Sequence, residues 1–147
     1  MKWVTRKSIR VNRVATVWLI RRFIDPQAVF LFVEPDKVGE VQQREGATGF
    51  DAPGAKYPHK DERGRCSFEA LMEEYYPGDL VLHEMACIVR GADFAEEITL
   101  TPESAGLRTI SHGFPLVARN DDEIVGKATF LYDSLYAALQ EKLAENK

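Results

Sequence analysis

The chain has 147 residues, 45% hydrophobic and 29% charged, with 19 Lys or Arg against 23 Asp or Glu and a net charge of −4. That length and balance describe one globular domain, 1–147, able to bury roughly two-thirds of its unfolded surface, and they exclude disordered, fibrous and repeat architectures. Two cysteines, Cys66 and Cys87, are too few for a disulfide framework and read as free thiols or ligands.

Charge is uneven along the chain. Residues 1–24 hold seven Lys or Arg and no acid, which leaves −11 on the remainder. Such a basic element suits an anion, unless its charges simply pair with the acidic rest of the domain. Its apolar stretch, Val14 to Ile20, is too short for a signal peptide or a membrane span, so the protein reads as cytoplasmic.

Asn12 is a good N-cap, and from Arg13 onward apolar residues occupy nearly every face of a helix that Pro26 stops at Asp25. Ala28–Val33 reads as a buried strand. Asp36 caps a polar helix to about Arg44, ended by Gly46, and Ala47–Asp51 is a second strand. The two make a short two-stranded sheet, antiparallel or joined through that helix. Residues 52–65, with two prolines, two glycines and no periodicity, form a long loop of the kind that often carries function. Ser67 caps a helix through Tyr76, and Asp79 caps another from Leu80 to Arg90, closed by Gly91. Thr101-Pro102 starts a helix that breaks at Gly113 and Pro115. Asn120 with Glu123 resembles a capping box, followed by one long terminal helix with Ile124, Ala128, Leu131, Leu135, Leu139 and Leu143 on one face. The expected fold is therefore mainly α with a small β element in the N-terminal half, an α+β domain.

Residue types suited to proton transfer or metal binding concentrate in one sector: Asp51, His59, Cys66, Glu69, His83, Cys87 and Asp93. A zinc-like divalent metal accepts such a mixture, and His59, Cys66, Glu69 and Asp93 are its candidate ligands, although their spacing matches no standard zinc signature. Cys66 lies just before the helix opened by Ser67, where the helix dipole would favour a thiolate. Arg13, Arg21 and Arg22, with Asp51, are candidates for an oxyanion site of bidentate geometry. Phosphate-loop, dinucleotide, nucleophile-elbow and H-E-x-x-H patterns are absent from the sequence.

The runs Trp18-Leu19-Ile20-Arg21-Arg22-Phe23-Ile24-Asp25, Phe30-Leu31-Phe32-Val33, Phe50-Asp51, His59 with Cys66-Ser67-Phe68-Glu69, Ile88-Val89-Arg90-Gly91-Ala92-Asp93 and Tyr132-Asp133-Ser134-Leu135-Tyr136 resemble the C-terminal domain of chromate resistance protein B. The resemblance covers nearly the whole chain, in order. It implies a cytoplasmic sensing or accessory domain in chromate resistance, whose longer relatives look like regulators of a chromate efflux transporter. The implied ligand is a small oxyanion or a metal ion, with a regulatory partner protein as a further implication. The alternative is a metal- or thiol-dependent enzyme using Cys66 and His59. Net acidity argues against DNA binding by this domain alone. Two positions depart from the family pattern: Asn12 stands where an Asp precedes the arginine of the first helix, and Thr16 where a Cys often follows it.

Overall fold

A computed structural model describes residues 1–146. Its element order is β1 (Lys2–Arg6), α1 (Val11–Leu19), β2 (Val29–Val33), α2 (Val38–Glu45), β3 (Thr48–Gly49), α3 (Ser67–Tyr75), α4 (Leu80–Asp93), α5 (Ser104–Val117) and α6 (Asp121–Glu145). The helix-rich α+β expectation holds, but the sheet is larger and differently arranged. It has three strands in the order β2-β1-β3, all parallel, with Trp3 opposite Phe30 and Thr48.

The unforeseen strand is β1. Its alternation puts Trp3 into the main core with Phe30 and Phe32, and Val4 into a second core with Val38, Val41 and Leu31. Two apolar faces require cover on both sides, which is the condition for a parallel sheet. Helix α2 covers one face and the helical bundle the other. In sequence, β1 hides among Lys2, Arg6 and Lys7, so its five residues look like a basic leader. β2 and β3 are joined through α2 as one of the expected alternatives, yet both pair with β1 and not with each other.

Helix α1 is buried along its whole length, as its all-round apolar pattern demands, and packs against α3, α4, α5 and α6. Its cap is not Asn12. The helix begins at Val11 after Arg10, and Asn12 is fully buried inside it. From Ile20 the coil widens into a π-helical turn that ends at Ile24, before Asp25 and Pro26. The caps read at Asp79 and Asn120 are present: Asp79 accepts from the Leu82 amide at 2.9 Å, and Asn120 from the Glu123 amide at 2.9 Å. Ser67 is the first residue of α3 instead of its cap; Cys66 occupies that place, and Glu69 reaches back to accept from its amide at 3.1 Å. Pro115 does not break α5, which runs on for two residues beyond it to Val117. No helix among the described residues is long and apolar enough to cross a membrane.

Gly91 also departs from expectation. It does not close α4, which continues to Asp93, but lets α5 approach: a Cβ at this position would lie 2.3 Å from Ser104 Oγ and 3.0 Å from the Glu97 carbonyl oxygen. Ser104 in turn donates to the Ile88 carbonyl at 3.0 Å, locking the start of α5 onto α4. In an open helix Gly→Ala is worth up to about 1 kcal/mol of added stability, whereas forcing a methyl into a closed contact costs about 1–3 kcal/mol. Gly91→Ala is therefore expected to be destabilising in a denaturant melt, and an unchanged or raised midpoint would contradict the close contact.

Candidate functional site

The strand order places a switch point between β1 and β3: from β1 the chain first crosses to β2 on one side, then returns to β3 on the other. Open parallel sheets bind ligands in the crevice at the carboxyl ends of such strands. Arg6 is the last residue of β1, and Asp51 follows β3 by two residues. The N-terminus of α1 stands over the same end, without a side-chain cap. Backbone strain gathers there too. Among the described residues, Ser8, Val11 and Asp51 are the non-glycine residues with positive φ, at 60°, 39° and 51°. For β-branched Val11 that conformation is a true outlier, and it persists only where surroundings hold it. The Asp121 carboxylate, at the start of α6, supplies such a hold by accepting from the Ser8 and Ile9 amides at 2.9 and 2.8 Å.

Asp51 is the centre of the constellation and is 1% exposed. Its Oδ1 accepts from Arg6 Nη2 at 3.1 Å and pairs with His59 Nδ1 at 2.8 Å. Its Oδ2 accepts from Asn12 Nδ2 at 3.1 Å, with Arg13 Nη1 at 3.8 Å. Burial pushes this carboxyl up, but the His59 hydrogen bond and the charges of Arg13 and Arg6 prevail and hold it below its ordinary range. The Asp51 hydrogen bond also raises His59. Asn12 extends the network inward, donating to Ser67 Oγ at 2.7 Å and accepting from the Phe68 amide at 3.2 Å, while Thr16 Oγ1 lies 3.1 Å from Ser67 Oγ.

Asp93, the last residue of α4, faces the same cluster. Its Oδ2 lies 3.5 Å from His59 Nδ1, is buried, and has no hydrogen-bond partner. Burial, together with the nearby Asp51 charge, pushes its carboxyl up to about 6. Beside it opens a cavity of about 210 Å³ lined by Arg6, Arg10, Val11, Arg13, Asp93, Arg108 and His112. Arg13 is 8% exposed, and its Nε is also buried without a partner. Arg108 arrives from α5, where its Nη1 donates to the Ala92 and Asp93 carbonyls at 2.9 and 3.2 Å. Partial desolvation and the charges of Arg10 and Arg108 lower exposed His112. Four guanidiniums thus line one pocket with the Asp93 carboxyl, and buried Asp51 holds Arg6 and Arg13 from behind.

The residues read from sequence divide into three groups. Asp51, His59, Asp93 and Arg13 meet at this site. Cys66 and Glu69 sit together at the start of α3, but Glu69 is engaged by Arg90 Nη1 at 3.3 Å, and Cys66 is fully buried. Its thiol does not become a thiolate at the helix end as expected: burial, reinforced by Glu69, raises it well above the ordinary range. Among the described residues no three or more His, Cys, Asp or Glu side chains converge on a metal-sized centre, so His59, Cys66, Glu69 and Asp93 do not form one ligand set. Arg21 and Arg22 lie on the π-helical turn, where Arg21 covers the Phe30 ring at 5.0 Å and Arg22 pairs with Asp133 at 3.5 Å, beside an apolar cavity of about 110 Å³. They do not line the pocket that Arg13 lines. His83 is bonded to the Pro77 carbonyl at 2.7 Å and Cys87 is exposed on α4.

Sequence reasoning did not single out Arg6, Arg10, Arg108 or His112. Arg6 and Arg10 belong to the basic N-terminal segment, and Arg108 and His112 are four apart on one helix face, the signal that was available. Because the folded pKa of Asp93 is raised, its protonated form is favoured in the native state. Stability is therefore fully present below about pH 4 and falls as pH rises through about 6, by roughly 3 kcal/mol in all. Comparing denaturant midpoints with Asp93→Asn across that window should isolate this slope; parallel curves would contradict it.

Residues 3–139 match the family model described as ChrB, C-terminal domain. The chain is 35% identical over 137 residues to Protein ChrB of Cupriavidus metallidurans, covering 92% of this chain and 40% of that protein. It therefore spans about two-fifths of the length of that curated relative. No solved structure matches it. A match over nearly the whole chain establishes the family: the chain belongs to the C-terminal domain family of chromate resistance protein B.

Proposed function

We propose that this domain serves chromate resistance as a ligand-sensing part, and that it recognises the chromate oxyanion in the cavity lined by Arg6, Arg10, Arg13 and Arg108. The observation that carries the reading is the convergence of four guanidiniums on one pocket at the α1 N-terminus, with Arg13 Nε buried and free to donate. A tetrahedral dianion offers acceptor lone pairs in every direction, which planar guanidinium forks satisfy bidentately. The uncapped first turn of α1 adds backbone donors and the positive end of a dipole.

Asp51 acts as the anchor in this reading. It fixes Arg6 and Arg13 in place, so the donors are ordered before the anion arrives and less entropy is lost on binding. The enzyme alternative has less support, since the Cys66 thiol is fully buried and its pKa is raised.

Titration calorimetry with chromate tests the site. Losing one charge-assisted donor costs about 1.5–3 kcal/mol, so Arg13→Gln and Arg108→Gln are expected to weaken binding at least about tenfold. Arg108 is half-buried and bonds only backbone carbonyls within the protein, so its variant separates binding from folding. Arg21→Ala should leave the titration unchanged. Equal loss in Arg21→Ala, or none in Arg108→Gln, would reject this pocket.

A further inference from the structure

Two residues that line the pocket carry opposite, buried polar vacancies. Arg13 Nε is a buried donor without an acceptor, and Asp93 Oδ2 is a buried acceptor without a donor. Buried polar groups left unpaired are costly, so each marks a hydrogen bond that something else completes. His59 does not complete the second: its Nδ1 is engaged by Asp51 at 2.8 Å and stands 3.5 Å from Asp93. Arg108 does not either, because it donates to the Asp93 backbone carbonyl instead of the carboxyl.

From this pair we infer that the pocket selects a tetrahedral oxyanion that carries a proton: the ligand's O–H donates to Asp93 Oδ2, while its unprotonated oxygens accept from Arg13 Nε and the neighbouring guanidiniums. The inference rests on the oxyanion reading above and deepens it by naming the protonation class. Hydrogenchromate and hydrogenphosphate fit. Sulfate, which has no proton at neutral pH, would set an acceptor oxygen against an acceptor carboxylate, an arrangement that discriminates by leaving a buried group unpaired.

The charged and titratable surroundings of Asp93 are consistent with one shared proton. Arg6 from β1, Arg10 and Arg13 from α1, Asp51 and His59 from the loop after β3, and Arg108 and His112 from α5 surround it. Cys66 on the α3 side and Tyr132 from α6 are buried and held neutral by burial. Protonated Asp93 facing a fully ionised anion would place the same single proton between the same two oxygens, so in either description binding consumes one proton from solution whenever the free ligand and free site are both deprotonated.

Competitive titration of the natural protein with phosphate and sulfate at pH 7.5 tests this. The expected result is at least tenfold tighter binding of phosphate, which carries a proton there, and a sulfate affinity that falls about tenfold for each pH unit above the Asp93 titration. In Asp93→Asn, whose amide can donate to either anion, the preference for phosphate is expected to disappear. Sulfate binding as tightly as phosphate, with an affinity flat between pH 6 and 8, would overturn the inference while leaving the anion pocket standing. Absence of binding by phosphate, sulfate and chromate alike would overturn both. The comparison of anions on the natural protein decides the matter even where the variant does not fold.

Discussion

A carboxylate that is 1% exposed organises this domain. Asp51 cannot be buried as an ion without partners, since an uncompensated interior charge costs several kcal/mol. Its partners come from every direction the chain approaches it: Arg6 from β1, Asn12 and Arg13 from α1, His59 from the long loop. Removing any one of them weakens the compensation for the others, which ties the strand, the helix and the loop into one electrostatic unit. The positive-φ backbone at Asp51 and Val11 lies in the same unit, one residue bearing the carboxylate itself and the other at the start of α1.

The parallel sheet makes that meeting possible. With β1 in the middle, its carboxyl end is flanked on one side by the end of β3, and α1 springs directly from its last residues. An antiparallel hairpin of two strands would have put Arg6 and Asp51 at no common edge. The bundle then completes the wall: Gly91 allows α5 to press on α4, and that close approach brings Arg108 to the Asp93 carbonyl. A glycine read in sequence as a helix end is thus a packing requirement that closes the pocket from the far side.

Much of this was legible in the sequence, and what was not has identifiable causes. Caps that act locally, Asp79 and Asn120, were readable because their partners lie three residues away. Asn12 was not, because its side chain serves Asp51 and Ser67 across the fold instead of its own helix end. Strand β1 was hidden by flanking lysine and arginine, and its parallel pairing depends on long-range burial of both faces. Among site residues, Asp51, His59, Asp93 and Arg13 were recognisable by type and loop context. Arg21 and Arg22 were equally plausible by charge, but helical periodicity and the π-helical turn carry them to another surface. Cys66 shows the limit of reasoning from a helix dipole: desolvation of a thiol with no exposed surface raises it despite its place at a helix start.

The residues at positions 12 and 16 acquire a physical meaning from the same network. Asn12 Nδ2 donates to Asp51 Oδ2 at 3.1 Å. An Asp there would bring a second carboxylate against the first, and one of them would need a proton or an additional cation to stay buried. Asn12 instead supplies the donor itself and passes its oxygen to the Phe68 amide, so Asp51 keeps its charge available for Arg6, Arg13 and His59. Thr16 likewise carries a hydroxyl that Ser67 and Asn12 engage. The interior side of Asp51 is therefore closed by the neutral Asn12 amide, itself held by Ser67, while the unpartnered Arg13 Nε and Asp93 Oδ2 belong to residues that line the pocket. That asymmetry directs the chemistry of this chain toward the arginine pocket and away from the helix interior.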